Sequence, residues 1–155
     1  MTPWRSAIML VEDNAADVEF ILEALTSAGH GSSVTVARDG VEAVRILGCG
    51  DPPEPRNPDT LPRLVILDIK LPRLNGLEVL ERIRNNPSTR DIPVVMFTSS
   101  VIERDVTHCY RLGVNSYVQK PVEFDRFRDV IRRLGDYWLS INHPPHPPRN
   151  GGGSR

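Results

Sequence analysis

Four short apolar runs in this chain end on residues that do chemistry. Ala7–Val11 leads into Glu12 and Asp13, Leu64–Leu67 into Asp68, Val94–Phe97 into Thr98, and Tyr117–Gln119 into Lys120. Parallel strands of an open sheet present their carboxyl ends on one edge, and ligands bind there. Three carboxylates, a hydroxyl and an ammonium would then share one crevice. Carboxylates held close together repel unless something neutralises them. A hard divalent cation does so, and magnesium suits a site of a few carboxylates, waters and phosphate oxygens. The chemistry this set predicts is metal-assisted phosphoryl transfer onto a carboxylate.

Each residue then takes a role. Glu12 and Asp13 are expected to hold the metal, although an acidic pair also favours a helix start. Asp68 emerges from a buried strand and is the expected nucleophile, a carboxylate attacking phosphorus. Thr98 is expected to donate a hydrogen bond to a phosphoryl oxygen, with the small Ser99 beside it leaving access. Lys120 is expected to pair with Asp68 and then with a phosphoryl oxygen. The chain has 17 arginines but only two lysines, Lys70 and Lys120. A compact ammonium where arginine is the default cation points to a chemical reason, more strongly at Lys120 than at Lys70. A cis Lys120–Pro121 bond would aim that side chain inward, although most X-Pro bonds are trans. Tyr117, if it faces outward near Thr98, could report the state of the site.

The elements that position these residues follow from periodicity. Val18, Ile21, Leu22 and Leu25 fit a helix after the first strand, closed by Gly29 and Gly31. Val34–Ala37 reads as a second strand. Asp39 caps a helix bearing Val41, Val44 and Leu47. Residues 49–62 hold five of the chain's 14 prolines and Gly50, so they form a loop, longer than most and expected to be mobile. Leu64–Leu67 is the third strand. Pro72 and Gly76 frame a turn before a helix lined by Leu77, Leu80 and Ile83. Val94–Phe97 is the fourth strand, and Ser100–Glu103 reads as a capping box for the fourth helix. Tyr117–Gln119 is the fifth strand. Phe124, Phe127, Ile131, Leu134 and Trp138 mark a long last helix. Five strands alternating with five helices predict a doubly wound α/β fold with a five-stranded parallel sheet. The flavodoxin-like order 2-1-3-4-5 places Asp13 and Asp68 across the switch point.

Length and composition set bounds. At 155 residues the chain is one domain long, and its 39% hydrophobic and 25% charged residues are ordinary. A net charge of −1 argues against a basic nucleic-acid surface. No run is long enough to span a membrane, no export signal is visible, and Cys49 and Cys109 lack metal spacing. A reducing cytoplasm fits these features. The domain is expected over residues 5–141, with 142–155 as a disordered tail rich in proline and glycine.

Four motifs together resemble the receiver domain of two-component response regulators. They are Val11-Glu12-Asp13-Asn14, Leu67-Asp68-Ile69-Lys70-Leu71-Pro72 with Gly76, Phe97-Thr98-Ser99-Ser100, and Gln119-Lys120-Pro121. Each is moderately specific alone; all four in order are highly specific. The resemblance implies that Asp68 is the phosphoacceptor and that Glu12, Asp13, Asp68 and the Lys70 backbone carbonyl hold Mg2+. It implies that Thr98 and Lys120 grip the phosphoryl group, with Thr98 and Tyr117 as the switch pair. The implied donor is a phosphohistidine on a sensor histidine kinase or a histidine phosphotransfer protein. Asn14-Ala15-Ala16-Asp17, the long loop before the third strand, Asn115–Val122 and the ending Leu134–Leu139 narrow the resemblance. They are similar to single-domain regulators serving bacterial phytochromes, which can form homodimers through the helix 4–strand 5–helix 5 face.

Other functions fit less well. An aspartyl-phosphate hydrolase of the Asp-x-Asp type would need an acid where Lys70 stands. A flavin or nucleotide module needs a hydroxyl- or glycine-rich loop after the first strand, where this chain places Glu12 and Asp13. A receiver-like scaffold independent of phosphorylation would not need the full set of reactive groups. The expected output is a change in protein binding, not enzymatic turnover.

Overall fold

The computed structural model describes residues 7–145. Most of the tail expected over 142–155 lies outside the described residues. The strands are β1 (Ile8–Val11), β2 (Val34–Ala37), β3 (Leu64–Leu67), β4 (Val94–Thr98) and β5 (Ser116–Gln119). The helices are α1 (Ala15–Ser27), α2 (Gly40–Leu47), α3 (Gly76–Asn85), α4 (Glu103–Arg111) and α5 (Phe124–Asp136), the last running into a π-helical turn at Tyr137–Ile141. All strands are parallel, in the expected order β2-β1-β3-β4-β5. No helix among the described residues is long and apolar enough to cross a membrane.

The sequence of each strand matches its place. β1, β3 and β4 are apolar at nearly every position and wholly buried, as central strands covered on both faces must be. β2 and β5 carry polar residues and are mostly half-exposed, as edges are. Alternate residues of the central strands feed two cores. Met9, Val11, Val65, Leu67 and Met96 pack with Leu47 of α2, Leu80 and Ile83 of α3 and Cys109 of α4. Ile8, Leu10, Ile66, Val95 and Phe97 pack with Ile21 and Leu25 of α1 and Phe127 and Ile131 of α5.

The starts of α1, α2 and α3 are set by side-chain caps. The Asn14 side-chain oxygen Oδ1 accepts from the Asp17 N–H, and an Asp39 carboxylate oxygen from that of Glu42. Asn75 and Glu78 cap each other reciprocally. The box expected at Ser100–Glu103 does not form, and α4 begins after Ile102 with no side-chain cap. The Ser100 hydroxyl instead donates to Asp105 at 3.0 Å. The backbone of Ser100 explains this. Its N–H donates to the Thr98 hydroxyl and its carbonyl accepts from Tyr117, which ties Ser100 to the sheet edge rather than to the helix.

The loop expected to be mobile is tied back to α2 from its middle. Arg56 donates from its guanidinium to the carbonyls of Arg45, Ile46 and Glu54 at 2.7–3.2 Å. Those first two belong to the last turn of α2, where carbonyls lack helical partners and a cation is favoured. A cis peptide occurs only at Asp51–Pro52 among the described residues. The cis bond entertained at Lys120–Pro121 is therefore absent. The inward aim of Lys120 comes from β5, because its N–H donates to the Thr98 carbonyl at 2.7 Å and extends the ladder by one residue.

Candidate functional site

Register alone brings the reactive residues together. Val11 pairs with Ala37 on one side and with Leu67 on the other. The next residues continue that ladder, with Glu12 N–H donating to Ala37 and Asp68 N–H to Val11 at about 3 Å. Glu12 and Asp68 thus leave adjacent strands at one level. Thr98 and Lys120 do the same on β4 and β5.

One oxygen each from Glu12, Asp13 and Asp68 lies within 4.8 Å of the others. Glu12 and Asp68 are buried, whereas Asp13 is exposed and open to solvent ligands. The Lys120 ammonium contacts Glu12 at 2.7 Å, Asp17 at 2.8 Å and Asp68 at 2.9 Å. The other Glu12 oxygen accepts from the Asn14 N–H. Asp68 Oδ1, by contrast, is buried and accepts no hydrogen bond. A buried carboxylate oxygen without a partner is costly, and a cation would satisfy it. Hard oxygen donors from three clustered carboxylates, one of them with an orphan oxygen, fit magnesium. The Lys70 side chain is exposed, and its carbonyl accepts no hydrogen bond among the described residues.

The electrostatics are those of a site prepared for positive charge. Burial pushes Glu12 up to about 7 from 4.5, with Asp68 adding to the effect and the bond from Lys120 opposing it. Burial alone would lower Lys120, but its bonds to Asp17, Glu12 and Asp68 outweigh that and hold it above the usual lysine range. The folded pKa of Glu12 exceeds its unfolded value, so proton uptake favours the fold. This contribution is present below about 4.5 and is lost as pH rises through 7. In magnesium-free buffer, stability is therefore expected to rise by on the order of 1 kcal/mol as pH falls across that window. Denaturant titrations at stepped pH check this, and Glu12→Gln should flatten the dependence.

The loop carrying Asp68 is held by glycine. A Cβ at Gly76 would collide with the Asp68 carbonyl oxygen and lie 2.7 Å from Ile69 Cα. The Gly76 N–H donates to the Ile69 carbonyl at 2.8 Å. Gly76→Ala is expected to destabilise by about 1–3 kcal/mol, as overpacking does, and to slow chemistry at Asp68 by displacing its backbone. Thermal unfolding together with the phosphorylation rate reads both effects.

Thr98 is buried, and its hydroxyl accepts from the Ser100 N–H at 3.3 Å. The half-buried Tyr117 donates its hydroxyl to the Ser100 carbonyl at 2.7 Å. Burial, partly offset by that bond, raises the phenol above its usual range. Tyr117 therefore does not face outward freely; it is latched to the loop that follows Thr98. Sequence reasoning assigned no chemical role to Asp17, which the structure places against Lys120. Asp17 closes the Asn14-Ala15-Ala16-Asp17 motif, but an acid in the first turn of a helix is indistinguishable from an ordinary dipole partner.

This fold and crevice define a class. A family model described as the response regulator receiver domain matches residues 8–132, and the chain belongs to that family. Among its relatives is the probable methanogenesis regulatory protein FilR2 of Methanothrix harundinacea, 36% identical over 140 residues, covering 90% of this chain and 88% of that protein. The crystal structure of the phosphorylated cyanobacterial phytochrome response regulator RcpA superposes with a TM-score of 0.81 at 35% identity, covering 91% of this chain and 99% of that one. The bacteriophytochrome response regulator RtBRR is 46% identical, with a TM-score of 0.66, covering 91% and 84% respectively.

Proposed function

We propose that this chain is a phosphorylation switch that accepts a phosphoryl group on Asp68. The supporting observation is the asymmetry of that carboxylate, with Oδ2 held by Lys120 and Oδ1 buried and unpartnered, in a residue clustered with Glu12 and Asp13. The donor is a phosphohistidine of a sensor histidine kinase or a phosphotransfer protein. An Asp68 oxygen forms the new P–O bond as the donor's P–N bond breaks. The imidazole leaves with the electron pair and takes its proton from solvent. Glu12, Asp13, Asp68 and the Lys70 carbonyl would hold magnesium, which would supply the positive charge that offsets the crevice and the incoming phosphoryl group. Lys120 pairs with a phosphoryl oxygen, and Thr98 turns its hydroxyl from the Ser100 N–H toward another.

That turn releases the Ser100 loop and the Tyr117 latch, and so biases a two-state equilibrium. Output is a change in protein binding. The exposed Val101, Ile102 and Tyr110 on and before α4 suit a homodimer through the α4–β5–α5 face. A bacterial phytochrome is the favoured kinase, since RcpA and RtBRR serve as phytochrome regulators by their descriptions. The chain acts in the cytoplasm as one receiver over residues 5–141, followed by the 142–155 tail.

Incubation with acetyl phosphate and magnesium tests the reading. One base-labile phosphoryl group per chain is expected, and none when magnesium is chelated before the donor is added. Rapid multiple-turnover release of phosphate would instead make the protein a hydrolase. Phosphotransfer profiling against histidine kinases tests the phytochrome link, with a red-light-dependent donor expected to be the fastest.

A further inference from the structure

Lys120 has three N–H donors, and each already contacts a different carboxylate, at 2.7, 2.8 and 2.9 Å. Gripping a phosphoryl oxygen requires that one be released. Glu12 is almost fully buried and fixed by the Asn14 N–H. Asp68 is the acceptor itself. Asp17 is the outlier: its side chain is 23% exposed, and it sits on the first turn of α1. It also lines, with Lys120, Ser99, Phe20 and Phe124, a cleft of about 280 Å3 that opens onto the ammonium.

We infer that Asp17 is a positioning residue that occupies the third donor of Lys120 at the phosphoryl site and thereby sets how readily Asp68 is phosphorylated. The inference rests on Asp68 being the phosphoacceptor. In the resting protein Asp17 takes the third donor while Lys120 stays on Glu12 and Asp68. During transfer the new bond joins an Asp68 oxygen to phosphorus, the donor's bond to phosphorus breaks, and the leaving group keeps that electron pair. Lys120 must move from Asp17 to the phosphoryl oxygen as charge arrives. Asp17 opposes this step in two ways, by holding the ammonium and by adding negative charge near an incoming phosphoryl anion.

The same residue acts with the opposite sign on magnesium. Without Asp17, Lys120 settles fully on Glu12 and Asp68 and competes with the cation, and the crevice loses one negative charge. A residue that only supports the fold would weaken both functions together. Asp17 is expected to separate them.

The experiment compares wild type, Asp17→Asn, Asp17→Glu and Glu23→Gln. Glu23 lines the same cleft but makes no contact with Lys120, so it controls for net charge. At saturating magnesium, Asp17→Asn is expected to be phosphorylated by acetyl phosphate about threefold faster or more, while its magnesium Kd by calorimetry rises about threefold. Asp17→Glu is expected to restore wild-type values, and Glu23→Gln to change neither by more than about twofold. Because the chain has only two lysines, nitrogen NMR on labelled lysine reads the Lys120 ammonium directly, with Lys70→Arg fixing the assignment. Its resonance is expected to move in Asp17→Asn, and in wild type on adding beryllofluoride as a phosphoryl mimic. Equal or slower phosphorylation of Asp17→Asn, or the same gain in Glu23→Gln, would overturn the inference. If wild type takes up no phosphate at all, the phosphoacceptor reading falls instead, and the NMR shift alone decides whether Asp17 tethers Lys120.

Discussion

Asp68→Asn is expected to take up no acyl phosphate, a fall of at least about 100-fold in base-labile incorporation from acetyl phosphate, because an amide is not the nucleophile that a carboxylate is. The loss should not come from unfolding. Asp68 is buried with Oδ1 unpartnered, close to oxygens of Glu12 and Asp13. Asparagine keeps the shape, removes one of several crowded negative charges, and offers an NH2 group to those acceptors. The variant is therefore expected to unfold no more easily than wild type in magnesium-free buffer, and to bind magnesium more weakly. Intact-mass measurement after incubation, with a melting curve on the same sample, separates the two effects. Equal phosphate on the variant would place the acceptor elsewhere, and a collapse in stability would show that the Asp68 charge is structural.

The strand ends were legible because each obeys a local rule. Ile8–Val11, Leu64–Leu67 and Val94–Phe97 are too apolar for anything but central strands, and a parallel sheet fixes which ends share an edge. Glu12, Asp13, Asp68, Thr98 and Lys120 then converge by register, with no long-range information beyond strand order. What escaped the sequence is set by competition among partners. Ser100 and Glu103 have capping-box spacing, yet Thr98 and Tyr117 hold the Ser100 backbone, and its hydroxyl finds Asp105. Asp17 looks like a dipole partner until α1 packs against α5 and brings it to Lys120, just past β5. Arg56 lies in a proline-rich loop of no evident pattern, and only the geometry of the α2 terminus gives it carbonyls to bind. Gly76 reads as a turn residue, whereas its tighter constraint is the backbone of Asp68 and Ile69 against it.

Lys120→Met should show that lysine and magnesium do the same electrostatic work in alternation. Methionine matches the length of the side chain but leaves Glu12, Asp17 and Asp68 facing one another. Removing one partner of a buried ion pair costs about 3–5 kcal/mol, so the variant is expected to lose that much stability at pH 8 in a chelating buffer. The loss should shrink toward pH 6. Glu12 is already pushed up to about 7 in wild type, and without the ammonium it holds a proton more readily, which relieves the repulsion. Magnesium should restore much of the stability and bind more tightly than in wild type, since no lysine competes for the same oxygens and the crevice is more negative. A phosphoryl group on Asp68 would then lack the cation that links it to the end of β5, so binding of a phosphoryl mimic should no longer shift the Tyr117 ring resonances in NMR. Denaturant titrations with and without magnesium provide the check. An equal stability loss in both buffers would mean that Lys120 contributes packing alone, and that the acids around it carry no charge worth balancing.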